Sequence, residues 1–468
     1  MPVISFTGLD WLFVAAYFAF LMILAFRKGW HDQNEEMFLL SGRRMTLPAF
    51  VATLVSTWYG GILGVGEYSS QYGISMILLF GVPFYFFSVI YAFFLADKIR
   101  NHMALTIPEA VGSAYGPGAG RLSAIGVFIL VSPAPYILML GLIFQFMTGG
   151  EGNFLVYAVV VALFSVAYVS FSGFSAVVRT DELQVTLMFG GFLLLIWYAW
   201  GISGSPVEVW NSVPETFRDV SGGQTTQYIL VWFFIALWTF VDPSFHQRSA
   251  AARNGKTARN GILISILFWI AFDFLTLFSG MYGFLILGAM DNPVMVYPYL
   301  ANEILPVGIK GLFFITLIAT IMSTMDSYLF ISGQTLGRDL LKGWLPKADP
   351  VFLTRLGILI AALLGILLVI VYPSVIDLWY VIGSVMIPGL LIPVLGVYLP
   401  AFRVQKLSAV LILTVASGVS LAWLAAGTLH GDADVTFLGV EPFYPGLLVS
   451  FVIFVTDRLR NTSCRAQP

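Results

Sequence analysis

The chain has 468 residues, of which 59% are hydrophobic and only 10% charged, against about a quarter charged in a soluble domain. Its formal net charge of −2 leaves no basic footprint for nucleic acid. A single cysteine, Cys464, excludes an intramolecular disulfide and a cysteine metal cluster, and His31, His102, His246 and His430 lack ligand spacing, so neither haem nor zinc is expected.

Repeated apolar runs of roughly twenty residues read as transmembrane helices, since that length crosses the hydrocarbon. Thirteen are read, at 10–26, 47–70, 74–97, 122–147, 154–171, 182–203, 228–247, 261–289, 309–335, 353–372, 376–400, 407–427 and 443–457. The first lacks the basic flank and small-residue cleavage site of a signal peptide and is expected to stay on the chain. With the N-terminus outside, all but Arg218 and Lys310 of the 23 Lys/Arg fall on the cytoplasmic side. They cluster at Arg27–Lys28, Arg43–Arg44, around Lys98, at Arg179, from Arg248 to Arg259, from Arg338 to Arg355, at Arg403–Lys406 and from Arg458 to Arg465. The expectation is a multi-pass protein of the inner (plasma) membrane, N-terminus outside and C-terminus cytoplasmic.

Two of these spans are interrupted. The second reads "LVSTWYGGILGVGEYSSQYG" (54–73), with Gly60 and Gly61 adjacent; the seventh reads "LWTFVDPSFHQR" (237–248), with Asp242-Pro243 in its middle. Proline removes a donor and clashes with the preceding turn, and glycine weakens a helix by about 1 kcal/mol. Broken backbone at membrane depth is tolerated where it lines a cavity. Two breaks at corresponding positions are the pattern of an inverted repeat whose discontinuous helices hold substrate and coupling ion.

The ninth span carries Thr316, Thr320, Ser323, Thr324 and Ser327 at three- and four-residue spacing, with Asp326 on the flank of that face. Ser and Thr can bond back to the preceding turn, which accounts for one or two hydroxyls but not for a stripe with a carboxylate. An intramembrane aspartate marks an ion or proton path, and hard oxygen ligands suit a hard cation such as Na⁺. One helix cannot supply a full shell, and carbonyls of the broken second span can supply the rest.

Four passages then carry a resemblance: "TIPEAVGSAYG" (106–116), "SGFSAVVRTDELQ" (172–184), "QRSAAARN" (247–254) and "YPYLANEILPVGIKGLFFITLIATIMSTMDS" (297–327). In order and spacing they resemble the sodium:solute symporter family, whose members include sodium/proline, sodium/galactose and sodium/sialic acid symporters. The resemblance implies an all-α polytopic protein with a LeuT-like five-plus-five inverted repeat. One transporter domain would then comprise an extra N-terminal helix at 10–26, repeats at 47–203 and 228–400, and two peripheral helices within 407–457. It implies a sodium site from Leu54, Thr57 and Thr320 carbonyls with Ser323 and Thr324 hydroxyls, and a second one from Asp181, Ser323, Asp326 and Ser327. Ser172, Arg179 and Asp326 depart from the family pattern and leave one or two Na⁺ per cycle open.

The substrate pocket is expected beside the two breaks, with Trp58, Tyr59, Glu67, Tyr68, Trp238, Asp242, Phe245 and Tyr380 as candidates. Glu67 and Asp242 are acidic at membrane depth. Neither broken span holds a Lys or Arg before Arg248, itself expected at the cytoplasmic end, so the balancing positive charge is expected to arrive with the ligand. The chain reads as a non-enzymatic secondary transporter. Its partners are Na⁺, a small polar solute (an amino acid or other amine) and the lipid bilayer, and the oligomeric state stays open, a monomer included. A sugar or organic-acid symporter and a transporter-like membrane sensor stand as alternatives.

Overall fold

The computed structural model describes residues 4, 6–26, 35–371, 374–430 and 436–465. Arg27, Lys28 and His31 lie outside them. Among the described residues the regular structure is helical, joined by turns and loops, apart from isolated bridges such as Met45 with Ala252. Eleven helices are long and apolar enough to cross a membrane. A twelfth apolar stretch, Gly8–Leu24, is shorter, and the Phe443–Arg465 helix at the thirteenth expected position is not among the eleven. Helix therefore occupies every predicted span, while the crossing count by length and composition is lower.

Helix ends follow local chemistry. The helix expected from residue 182 begins at Phe174 and runs to Ser203, bracketed by Gly173 at φ +63° and Gly204 at φ +83°; glycine tolerates that conformation and other residues do not. The Gly255–Leu287 helix is capped by Asn254, whose side chain accepts from the Thr257 amide at 2.8 Å. Asp10 Oδ1 accepts from the amides of Gly308 and Gly311 at 2.8 and 2.9 Å, tying the Gly8–Phe26 helix to the start of Ile309–Gln334. Its charge suits a helix N-terminus.

Ile309–Gln334 is the central helix. Every side chain from Phe313 to Gln334 is buried. It is enclosed by the Phe174–Ser203 helix, the first broken helix and Pro350–Val371. Small residues allow the close approach, as is usual between membrane helices. A Cβ on Gly191 would stand 2.0 Å from Thr316 Oγ1, and one on Gly357 would stand 2.2 Å from the Gly333 carbonyl. The outer surface is apolar: Trp197, Trp200, Phe93 and Phe94 are exposed, as suits a lipid-facing rim.

Both predicted breaks are present. The first broken helix runs Leu47–Trp58, loosens into a tighter turn over Tyr59–Gly61 and resumes as Ile62–Tyr72. Gly60 is there for space, because a Cβ would lie 2.2 Å from Thr324 Oγ1 on the central helix. The second broken helix comprises Thr226–Ile235, the short Trp238–Val241 and Pro243–Ala251. Asp242 sits between the last two in extended conformation and caps the final segment through the Ser244 amide at 2.7 Å. The additional interruption at Ala236–Leu237 has no proline or glycine to announce it.

Candidate ion and solute site

The Leu47–Trp58 segment presents Thr57 towards the central helix and Thr53 towards Asp181 of the Phe174–Ser203 helix. Thr324 Oγ1 donates to the Thr57 carbonyl at 2.7 Å. The Thr57 hydroxyl lies 3.4 Å from Ser323 Oγ and 3.3 Å from Ser327 Oγ. Ser323 Oγ in turn donates to Asp181 Oδ1 at 2.6 Å, and Thr53 donates to Asp181 Oδ2. Of the sodium-site candidates, Thr57, Ser323 and Thr324 meet directly; Leu54 and Thr320 are buried on the same two helices. The hydroxyl stripe divides. Thr320 bonds back to the Thr316 carbonyl at 2.7 Å, and Thr316 to the carbonyls of Leu312 and Leu187. Only the hydroxyls from Ser323 onward reach the broken helix. These oxygens, close-set and hard, fit an alkali cation.

Arg248 departs from expectation. Its side chain is not in water but fully buried. Its Nη2 lies 3.6 Å from Asp181 Oδ2 and donates to Thr57 Oγ1 at 2.6 Å, Ser327 Oγ at 2.9 Å and Thr53 Oγ1 at 2.9 Å. Asp181, Ser323 and Ser327 thus gather around a guanidinium. Asp326 does not join them. It is buried beside Ser165 of the Phe154–Ser172 helix. One position along a helix turns a side chain by about 100°, which separates Asp326 from Ser327.

A cavity of about 130 Å³ lies between the two breaks. Trp58, Tyr59, Trp238, Asp242 and Phe245 line it, and so do Leu54 and Thr57. The ion candidates and the cavity therefore share a wall. Glu67, Tyr68 and Tyr380 do not line it. Glu67 is half-buried and interacts electrostatically with Asp377, Tyr68 bonds Tyr228, and Tyr380 packs its ring 6.5 Å from that of Trp232. The structure adds Tyr136, Trp232, Trp379 and, above all, Asp273 of the Gly255–Leu287 helix. Asp273 Oδ1 accepts from the Tyr59 hydroxyl at 2.8 Å and Oδ2 accepts from Tyr85. The intramembrane-acid rule that singled out Asp242 and Asp326 would have found it in "FWIAFDFLTLF" (268–278).

Broken helices meeting a buried helix of hydroxyls define a polytopic membrane transporter of the LeuT-like fold. The solved structure of a Na⁺-coupled sialic acid symporter, substrate-bound and outward-open, superposes with a TM-score of 0.80 at 15% identity, covering 97% of both chains. That likeness carries the fold. The model of the sodium:solute symporter family matches residues 38–408, and the chain belongs to that family. It is 24% identical over 367 residues to the sodium/glucose cotransporter of Vibrio parahaemolyticus, covering 68% of this chain and 65% of that protein. It is 23% identical over 387 residues to the osmoregulated proline transporter OpuE of Bacillus subtilis (strain 168), covering 76% and 75%. The match thus spans just under two thirds of the Vibrio protein's own length.

The buried ion pair yields a stability test. Arg248→Leu strands Asp181 without a counter-charge and should cost about 3–5 kcal/mol. Adding Asp181→Asn should return part of that loss, read as the melting temperature of the detergent-solubilised protein. A double variant no more stable than the single one would mean that the two charges are not coupled.

Proposed function

We propose that this chain is a sodium-coupled symporter that carries a small amine-bearing solute into the cell by alternating access between repeats at 47–203 and 228–400. What supports it is the wall shared by the hydroxyl cluster and the cavity: Thr57 belongs to both, with Leu54 one turn before it on the same helix lining the cavity. An ion held by the carbonyls of Leu54, Thr57 and Thr320 with the hydroxyls of Ser323 and Thr324 would fix the broken segment that also forms the solute wall. Each ligand would then favour the same conformation and raise the other's affinity by an equal factor. Na⁺-dependent uptake into proteoliposomes tests this; a membrane sensor would bind solute without accumulating it.

The amine follows from charge. Asp242 and Asp273 both line the cavity, and none of its lining residues is Lys, Arg or His. A sugar would leave Asp273 without a counter-charge, since Arg248 interacts with Asp242 but with no oxygen of Asp273, and burying an unpaired carboxylate is costly. At the second cation site expected from Asp181, Ser323, Asp326 and Ser327, Arg248 already supplies a positive charge to Asp181 and Ser327, and Asp326 lies beside Ser165 instead. One Na⁺ per cycle is the reading this favours. The protein is proposed to lie in the plasma membrane as a monomer, N-terminus outside.

Three outcomes are expected. Ser323→Ala with Thr324→Ala should raise the Na⁺ concentration for half-maximal uptake about tenfold or more, while the wild type shows a Hill coefficient of one. Unchanged Na⁺ dependence in the double variant removes the site from this helix pair. In competition, amines should block uptake and neutral sugars should not; the reverse order ends the amine reading. A reporter fused after Arg465 should be cytoplasmic and one before Asp10 external, and both on one side would refute the orientation.

A further inference from the structure

Three buried carboxylates surround the two breaks, and their charges are answered unequally. Asp181 has Arg248 at 3.6 Å. Asp242 caps Pro243–Ala251 through the Ser244 amide at 2.7 Å, where the helix dipole favours an anion, and it interacts electrostatically with the same guanidinium. Asp273 has only phenols: Tyr59, whose hydroxyl is shared between one carboxylate oxygen at 2.8 Å and the Trp269 carbonyl at 2.7 Å, and Tyr85 on the other oxygen. No ion-pair partner of Asp273 exists among the described residues. Two neutral donors orient a carboxylate without cancelling its charge, and each oxygen keeps a lone pair free.

The remaining walls suit an organic cation. Trp58, Trp232, Trp238 and Trp379 all line the cavity, with Tyr136 and Phe84. Aromatic faces attract ammonium groups, most strongly when desolvated, and accept apolar substituents. With Na⁺ bound at the hydroxyl cluster, three carboxylates would face one guanidinium and one sodium ion. A single positive charge closes that balance, whereas a zwitterion leaves it open. Asp326 and Glu67 are outside this group, against Ser165 and Asp377 respectively.

We propose that Asp273, oriented by Tyr59 and Tyr85, is the ammonium subsite and specificity-determining residue of the cavity, and that the ligand is a small organic monocation with apolar substituents, an alkyl- or arylalkyl-ammonium. This rests on the amine reading given above and narrows it.

The test uses the full-length protein and its tryptophan fluorescence, with Na⁺ or K⁺ as the salt. Three probes share one skeleton: phenethylammonium, the zwitterion phenylalanine and neutral 2-phenylethanol. The wild type should bind phenethylammonium in Na⁺ more tightly than the other two. Asp273→Asn should weaken phenethylammonium about tenfold or more, and Asp242→Asn less, with the affinities for 2-phenylethanol and Na⁺ unchanged. Unchanged phenethylammonium affinity in Asp273→Asn overturns the subsite and leaves the amine reading standing. Equal losses for all three probes and Na⁺ would assign Asp273 a structural role and overturn it likewise. Phenylalanine binding as tightly as phenethylammonium overturns the monocation. Should no ammonium probe bind the wild type while neutral sugars do, the amine reading itself fails. If Asp273→Asn does not fold, Tyr85→Phe decides: a reduced preference for phenethylammonium over 2-phenylethanol supports the subsite, and an unchanged preference overturns it.

Discussion

At membrane depth there is no water to receive a charge, so every polar group there must be answered by protein or by cargo. Arg248 embodies that constraint. Its guanidinium is fully buried and is satisfied by groups from four helical segments: Thr53 and Thr57 of the first broken helix, Ser244 of its own, Ser327 of the central helix and Asp181 of Phe174–Ser203. Guanidinium has five donors in a fixed plane, so meeting them fixes how those segments sit. The hydroxyl cluster inherits its geometry from this arrangement, because Thr57 and Ser327 serve both.

The two breaks follow from the same requirement. Unwinding a helix frees carbonyls and amides that lipid cannot satisfy. At the first break the freed region is pressed against the central helix, where the Thr57 carbonyl accepts from Thr324. At the second, the Asp242 side chain takes the Ser244 amide. A site built from the ends of half-helices is easily altered by moving one half, which is why ion and solute can be coupled across a shared wall without a dedicated linkage.

Four aspartates of one chemical type meet four surroundings here. Asp181 has a guanidinium, Asp242 a helix N-terminus, Asp273 a pair of phenols, and Asp326 the hydroxyl of Ser165. Position on a helix decides among these. Asp326 and Ser327 are neighbours in sequence, yet one turns to Ser165 and the other to Arg248. The Phe174–Ser203 and central helices run antiparallel, so Asp181 meets Ser323 while Leu187 meets Thr316. A face assigned from a 3.6-residue period is wide enough to include both Asp326 and Ser327, and only the packed neighbours separate them.

The sequence by itself determined the membrane class, the approximate position of the long apolar helices, both breaks and the buried hydroxyl helix. Each of these rests on local composition: apolar length, Gly-Gly, Asp-Pro and the spacing of Ser and Thr. It also singled out Trp58, Tyr59, Trp238, Asp242 and Phe245, because a side chain next to a break has few places to go except the cavity. Tertiary structure alone decided the fate of Arg248, whose place after the second break suggests a cytoplasmic end until the resumed helix folds it against Asp181. It alone excluded Glu67, Tyr68 and Tyr380 from the cavity and brought in Asp273 and Trp379. These residues are distant in sequence, and their convergence depends on how helices cross, a geometry set by packing between segments rather than by any one of them.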